Sequence, residues 1–409
     1  MTVEEQARIL AQGTEEILPE GSLPERLERC AREGRPLRVK QGFDPTAPDI
    51  HLGHAVGLRK LRQFQSLGHQ IVLIVGDYTG RVGDPSGVSK TRPQLSEEQI
   101  EANARTYLEQ FYRVLERDPH PPERPVEVHR NGEWFASMPF MEVIRLAARY
   151  TVARMLERDD FAKRMAAHQP IGVHELFYPL MQGFDSVAIR SDIEIGGTDQ
   201  KFNLLVGRAL QESEGQLPQL ALTVPILPGL DGVQRMSKSL GNYVGVTDAP
   251  AEMFGKIMSL PDSSMSIYWR LAADLPEAEL AQIGRELADS QVHPMSIKKR
   301  LGQRIVSSIT GTMRRRTRSA ISRLNSAAVR RRRRSRPGPP IRTERWESRI
   351  SSSDRVLQLP AARPGERSDQ GAVSIDGVRI SDRNHRHKLL DPFVLRLGRR
   401  MLRVEPPAR

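Results

Sequence analysis

One cysteine, Cys30, is all the thiol this chain has. That excludes an intramolecular disulfide framework and a zinc site built from several thiolates, so no zinc is expected. No uninterrupted apolar stretch approaches the ~20 residues that cross a bilayer, which excludes a transmembrane protein and leaves no membrane partner. Met1 to Glu20, MTVEEQARILAQGTEEILPE, is acidic where a secretory leader needs positive charge, so a cytoplasmic protein is expected. There is no internal repeat. What is present is length: 409 residues, at ~100–200 per domain, allow two to four domains.

The net charge of +12 suggests a nucleic-acid partner until it is located along the chain. Between Arg314 and Arg367 stand 17 arginines, no lysine and 4 acids, so the remainder is nearly neutral. Affinity for a phosphate backbone then depends on that block and on local faces.

Acidic and Leu-bearing patterns predict a helical N-terminal segment over 1–34. A short strand over Leu37–Gly42 leads into the loop GFDPTAPDIHLGH. Leu58, Leu61, Phe64 and Leu67 then recur at helical spacing until Gly68, and the β-branched run from His69 to Gly76 reads as a buried parallel strand. Strand, helix, strand is a βαβ unit. Further strands are expected at Val126–His129, Ser186–Ile195 and Ala221–Leu227, and helices at Glu97–Glu116, Phe140–Glu157 and Gln200–Glu212. The fold class is α/β, with a Rossmann-like parallel-sheet domain over 35–228 carrying an insert at about 120–170. Helical patterns at Ala251–Ser259, Pro276–Ala288 and Ser296–Val306 make a second module over 229–310. The Arg-, Ser- and Pro-rich stretch over 311–368 has the composition of an unfolded segment. In the tail, 369–409, alternating residues around Asp376-Gly377 predict a hairpin, followed by a strand over Phe393–Leu397.

Two loops carry chemistry. Asp44-Pro45-Thr46 leads to His51-Leu52-Gly53-His54 at the mouth of a helix, where unpaired N–H groups and the helix dipole favour phosphate, two imidazoles add donors, and Gly53 permits close approach. Taken alone, a solvated loop or a metal pair explains HLGH equally well. Arg235-Met236-Ser237-Lys238-Ser239 is a small-residue loop bearing a flexible ammonium that can neutralise charge on a departing pyrophosphate. Alone, it is also an ordinary basic surface loop.

Together, in this order behind a βαβ start, HLGH and RMSKS resemble the HIGH and KMSKS signatures of class I aminoacyl-tRNA synthetases. The segments KQGFDPTAPDIHLGHAVGLRKLRQFQSLGH, GDYTGRVGDPSG, YPLMQGFDSVAIRSDIEIGGTDQKFNLLVGR and LDGVQRMSKSLGNY are similar in particular to bacterial tyrosyl-tRNA synthetases. The resemblance runs from Leu37 to Val306 and returns in patches in the tail. It implies an ATP-dependent ligase that activates L-tyrosine and transfers it to tRNA(Tyr), with Mg²⁺ accompanying ATP, and a homodimer joined through the insert around Val126 to Met165.

Carried over residue by residue, the resemblance gives His51 and His54 the ATP phosphates and the transition state, and places Asp44, Thr46 and Gly53 beside the nucleotide. Ser237, Lys238 and Ser239 belong to the loop that closes on pyrophosphate, and Arg235 stands where the first lysine of the motif is usual. Tyr178 and Gln182 are expected to bind the substrate's amino group, with Thr79 and Asp84 helping, and Asp185 to accept the phenolic hydroxyl. Asp199 and Gln200 line the ribose and substrate pocket. Lys40 replaces a frequent tyrosine and is expected to meet the phenol through its ammonium. No protein nucleophile is needed, because the substrate's own carboxylate attacks the α-phosphorus.

Residues 369–409 resemble the second half of a small S4-like α+β RNA-binding domain whose first helices are replaced by the arginine block. Two readings of the block stand: a pair of compensating reading-frame shifts, or a genuine arginine-rich arm that folds on RNA. For the whole chain, the alternatives are a tryptophanyl-tRNA synthetase, disfavoured by Asp185, an RNA-binding paralogue or damaged product without full charging activity, and a more distant nucleotidyltransferase.

Overall fold

The computed structural model describes residues 1–86, 95–237 and 240–310, and beyond these the strands at 356–358, 373–375, 378–380, 386–388, 393–397 and 400–404. The arginine block read over 311–368 lies outside them apart from the first of those strands. The chain divides into two units, Met1–Ile321 and Ser322–Arg409.

The first unit is built on a six-stranded sheet of β1 (Glu16–Leu18), β2 (Arg38–Phe43), β3 (Gln70–Val75), β4 (Glu127–Arg130), β5 (Ile193–Gly197) and β6 (Leu220–Val224), in the order β1-β6-β5-β2-β3-β4. All neighbours are parallel except β1, which runs antiparallel to β6 on the edge. In β3 and β6 the runs IVLIV and LALTV are buried throughout, as expected of strands covered on both faces. Leu58, Leu61 and Phe64 press the helix Leu52–Ser66 into the core.

Chain order decides where a ligand can bind. The strands β2, β3 and β4 march outward in one direction, and the chain then returns to lay β5 on the other side of β2. This reversal is the switch point of an open parallel sheet, where a crevice opens beyond the carboxyl ends of the strands. Pairing across the seam is brief: β2 matches β3 over six residue pairs but meets β5 only at Val39↔Ile193 and Lys40↔Glu194.

Several elements differ from the sequence expectation. The strand expected over Ser186–Ile195 begins only at Ile193, because the helix Phe177–Ile189 continues through Val187, which packs in a cluster with Leu180 and Leu210 before Arg190 ends the helix in the left-handed region. The edge strand β1 interrupts the expected N-terminal helical segment; it has three residues and owes its form to pairing with β6. The helical stretches at 97–116 and 140–157 are each broken, into Glu97–Ala104 and Tyr107–Phe111, and into Phe140–Ala147 and Val152–Met155. The helices Pro250–Ile257, Glu277–Ala288 and Pro294–Ile309 lie where periodicity placed them, joined by an unanticipated one at Met265–Ala272. Among the described residues, no helix is long and apolar enough to cross a membrane.

In the second unit, β7 (Val356–Gln358) pairs with β10 (Arg386–Lys388), and β8 (Val373–Ile375), β9 (Val378–Ile380), β11 (Phe393–Leu397) and β12 (Arg400–Val404) form an antiparallel sheet in the order β12-β11-β8-β9. Ile375 is opposite Val378, the register of the expected hairpin.

Candidate active site

A small cleft, open at its mouth, lies at the switch point. The end of β2 supplies Gly42, Phe43 and Asp44, β3 supplies Ile74 with Gly76 beyond it, and β5 supplies Ile195. Thr79, Gln200, and Tyr178, Gln182 and Asp185 from the helix Phe177–Ile189 complete the lining. The i, i+4, i+7 spacing of the last three puts them on one helix face.

At the floor, Asp185 is buried, its Oδ1 accepting from the Trp134 indole at 3.0 Å and its Oδ2 from the Asn131 amide at 3.4 Å. Burial pushes its pKa up to about 7, against the pull of the Lys40 ammonium and these two donors. Asn131 also donates to Thr79 Oγ1 at 2.9 Å and accepts from the Tyr78 amide at 2.9 Å. Toward the other end, Asp44 accepts from Thr79 Oγ1 at 2.7 Å and from the Tyr178 hydroxyl at 2.8 Å. The Tyr178 phenol is held well above its usual pKa, by burial first and then by the carboxylates around it, so it stays a donor. A Cβ on Gly76 would collide with the Asp44 carboxylate and the Thr79 hydroxyl, so only glycine fits there. Asp84 accepts from the Ser86 amide at 2.9 Å and from Gln200 at 3.3 Å.

Lys40 does not point where the sequence reading put it. Its ammonium donates to Gln182 O at 2.7 Å and Ser186 Oγ at 2.8 Å, and pairs with Glu194 Oε1 at 2.9 Å. An ammonium has three N–H groups and all are taken, which leaves none for a ligand hydroxyl. Lys40 is fully buried behind the cleft wall, because register sets it opposite Glu194 in β5.

The two loops meet at one helix entrance. His51 caps the helix Leu52–Ser66, and its ring stacks on that of His54, centroids 3.9 Å apart. The segment following RMSKS is laced to this entrance: Leu52 N donates to Val244 O and Val246 N to Ile50 O, both at 2.9 Å. A Cβ on Gly53 would lie 3.7 Å from Met236 Cβ, so the second motif lies against the first. Arg235 reaches across to Asp199 Oδ2 at 3.1 Å and Ser86 O at 3.4 Å. Burial, with Asp84 close by, raises the Asp199 pKa, and Arg235 opposes that. The root of the loop is tied by Asn242, which accepts from Ser237 N at 2.8 Å and donates to Asp231 at 2.5 Å. Thr46 is exposed in the turn after Asp44. Lys238, Ser239, Lys90 and Arg92 lie outside the described residues.

Asn131, Trp134 and Glu194 were not singled out from sequence. The available signal was positional: the first two lie just past the carboxyl end of β4 and the third lies in β5, one of the two strands flanking the switch point.

The comparisons agree with this geometry. Residues 32–322 match the family described as tRNA synthetases class I (W and Y). A relative named tyrosine–tRNA ligase from Moorella thermoacetica is 49% identical over 97% of this chain and 95% of its own length, and one from Symbiobacterium thermophilum is 54% identical over 76% and 75%. In fold, the chain is similar to a tyrosyl-tRNA synthetase from Archaeoglobus fulgidus solved with L-tyrosine, with a TM-score of 0.61 at 22% identity, covering 78% of this chain and 100% of that one.

Proposed function

The chain belongs to the class I tRNA synthetases (W and Y), and from that premise we propose that it activates L-tyrosine with ATP and transfers it to tRNA(Tyr). One observation carries the choice of tyrosine: a buried carboxylate, Asp185, at the end of a cleft of mixed apolar and polar walls. A phenol entering there replaces the solvation Asp185 has lost by donating its O–H, whereas a bare phenyl ring leaves a buried anion without that bond. An indole offers an N–H at a different reach, so tryptophan is the weaker fit.

With the ring at Asp185, the ammonium lies among Tyr178, Gln182, Asp84 and the Thr79-bound Asp44. The carboxylate then faces the helix entrance at His51 and His54. Its oxygen attacks the α-phosphorus while the bond to the β-phosphate oxygen breaks, and pyrophosphate carries away the charge. The protein's work is to hold the reactants in line and offset charge: the N–H groups at the start of Leu52–Ser66, the two imidazoles, and Lys238 with Ser237 and Ser239 on the adjoining loop. Arg235, anchored on Asp199, sets the base of that loop. Asp199 and Gln200 line the ribose side. In the second step the terminal ribose hydroxyl of the tRNA attacks the activated carbonyl and AMP leaves. Mg²⁺ comes with ATP as its counter-ion; among the described residues no group of three His, Cys, Asp or Glu side chains is placed to hold a metal.

A homodimer formed through the insert is part of this reading. Its helices expose Phe140, Met141, Ile144, Val152 and Met165, 44–75% accessible, a patch of the kind that a second subunit covers. The tRNA substrate sets the reaction in the cytoplasm. The test is exchange of labelled pyrophosphate into ATP: tyrosine supports it, phenylalanine and tryptophan do not, and Lys238→Ala lowers it by about 10²-fold or more, the scale of losing one transition-state charge contact. Exchange driven by tryptophan instead would overturn the reading.

A further inference from the structure

Arg158 is buried to 3% exposure, is no part of the cleft lining, and is used by none of the steps above. It stands in the insert, at the start of the helix Asp159–Ala166. Its guanidinium donates through Nε to Asp160 Oδ1 at 2.7 Å, through one terminal nitrogen to Asn203 Oδ1 at 3.0 Å, and through the other to Ser86 Oγ at 2.6 Å. It stands 3.6 Å from Asp84 Oδ1 and 5.3 Å from the Phe161 ring centroid.

Two of these contacts control groups that line the cleft or flank it. Because Arg158 occupies the Asn203 oxygen, the Asn203 amide must present its NH₂ to Gln182 Oε1, at 2.8 Å. The Gln182 NH₂ is thereby turned to Glu194 Oε1, at 3.0 Å. The polarity of this relay is fixed at one end by a cation and at the other by a carboxylate, and the oxygen of Gln182, a residue of the cleft lining, keeps a second lone pair beyond the one that Asn203 uses. On the other branch, Arg158 pins the hydroxyl of Ser86, whose own amide holds Asp84. One buried guanidinium thus orients two acceptors, the Gln182 oxygen and the Asp84 carboxylate, that suit a substrate cation.

We propose that Arg158 is a positioning residue for the substrate's ammonium group, acting from behind the cleft through Asn203–Gln182 and Ser86–Asp84. This rests on the tyrosine reading above. The planar fork spreads its N–H groups over three nitrogens and so reaches Asp160, Asn203 and Ser86 at once, a separation that lysine's three N–H groups, all on one compact nitrogen, do not span.

The test compares equilibrium binding of L-tyrosine and of 3-(4-hydroxyphenyl)propionate, the same molecule without its ammonium, to the full-length wild type, Arg158→Met, Arg158→Lys and Ser86→Ala. Loss of an oriented charge contact is expected to weaken tyrosine by about tenfold in Arg158→Met and Arg158→Lys, and by less in Ser86→Ala, with the deaminated ligand changed by less than about twofold. In pyrophosphate exchange, KM for tyrosine rises and KM for ATP does not. Should Arg158→Met fail to fold, the lysine and Ser86 variants give the same comparison. Equal losses for both ligands, or no loss, overturn the proposal. A wild type that binds neither ligand overturns the tyrosine reading itself, and the proposal with it.

Discussion

Asp185 has to carry charge where water is excluded, and its position can be tested by pH. Its folded-state pKa of about 7 lies above the ordinary 3.8. The folded chain therefore binds this proton more tightly than the unfolded chain, and the Asp185 contribution to stability falls as pH rises from about 4 to about 7, then stays low. Asp185→Asn removes that penalty while losing the anion that accepts the phenol. Because the amide keeps only one of the two acceptors that Trp134 and Asn131 use, the pH dependence is the readout: relative to wild type the variant's Tm is expected to rise by ~2 °C or more from pH 5 to pH 8, and the variant to lose its preference for tyrosine over phenylalanine in exchange. A Tm difference that does not rise between pH 5 and pH 8 would contradict this account of the site. Tyr178, Gln182 and Asp185 were legible through the resemblance carried by YPLMQGFD, and their i, i+4, i+7 spacing on the helix Phe177–Ile189 sets them on one face. Asn131 and Trp134 were not, because they reach Asp185 from about fifty residues away, with no local pattern to mark them.

At the level of elements, the seam between β2 and β5 is held at its centre by a buried ion pair, Lys40–Glu194, 2.9 Å apart, with Gln219 and Ser186 also donating to Glu194. Removing one member leaves the other charge uncompensated, at a cost of roughly 3–5 kcal/mol, whereas replacing both with neutral groups is tolerated far better. Lys40→Met should lower the urea midpoint sharply, and adding Glu194→Gln should restore most of it; no recovery in the double variant would show that the pair is not what secures the seam. The βαβ start and the buried strand β3 were readable because long apolar runs at a fixed period outweigh local ambiguity. Where they were not, tertiary contacts decided: Val187 is β-branched yet helical because its helix face has a cluster to fill, and β1 is a strand because β6 offers an edge. The same register that builds the seam encloses Lys40 away from the cleft lining.

For the molecule as a whole, the proposed homodimer is tested at the exposed apolar side chains of the insert. Phe140→Glu combined with Val152→Glu, both on exposed positions, should leave the fold intact, as read by circular dichroism, and shift the sedimenting species from dimer to monomer. A wild type that sediments as a monomer would count against the homodimer. By itself, the sequence determined which residue types stand where: the α/β class, the helix entrance bearing His51 and His54, the loop motif and the polar residues of the helix Phe177–Ile189 are all local patterns, set by spacing and residue type over a few turns. Only the tertiary structure decided which of those groups share a cavity and which way each points. It brought Met236 beside Gly53, set Trp134 on Asp185, enclosed Lys40 with Glu194 and put Arg158 behind Gln182. Burial, charge compensation and strand register are properties of neighbours distant in the chain, and no short window of sequence contains them.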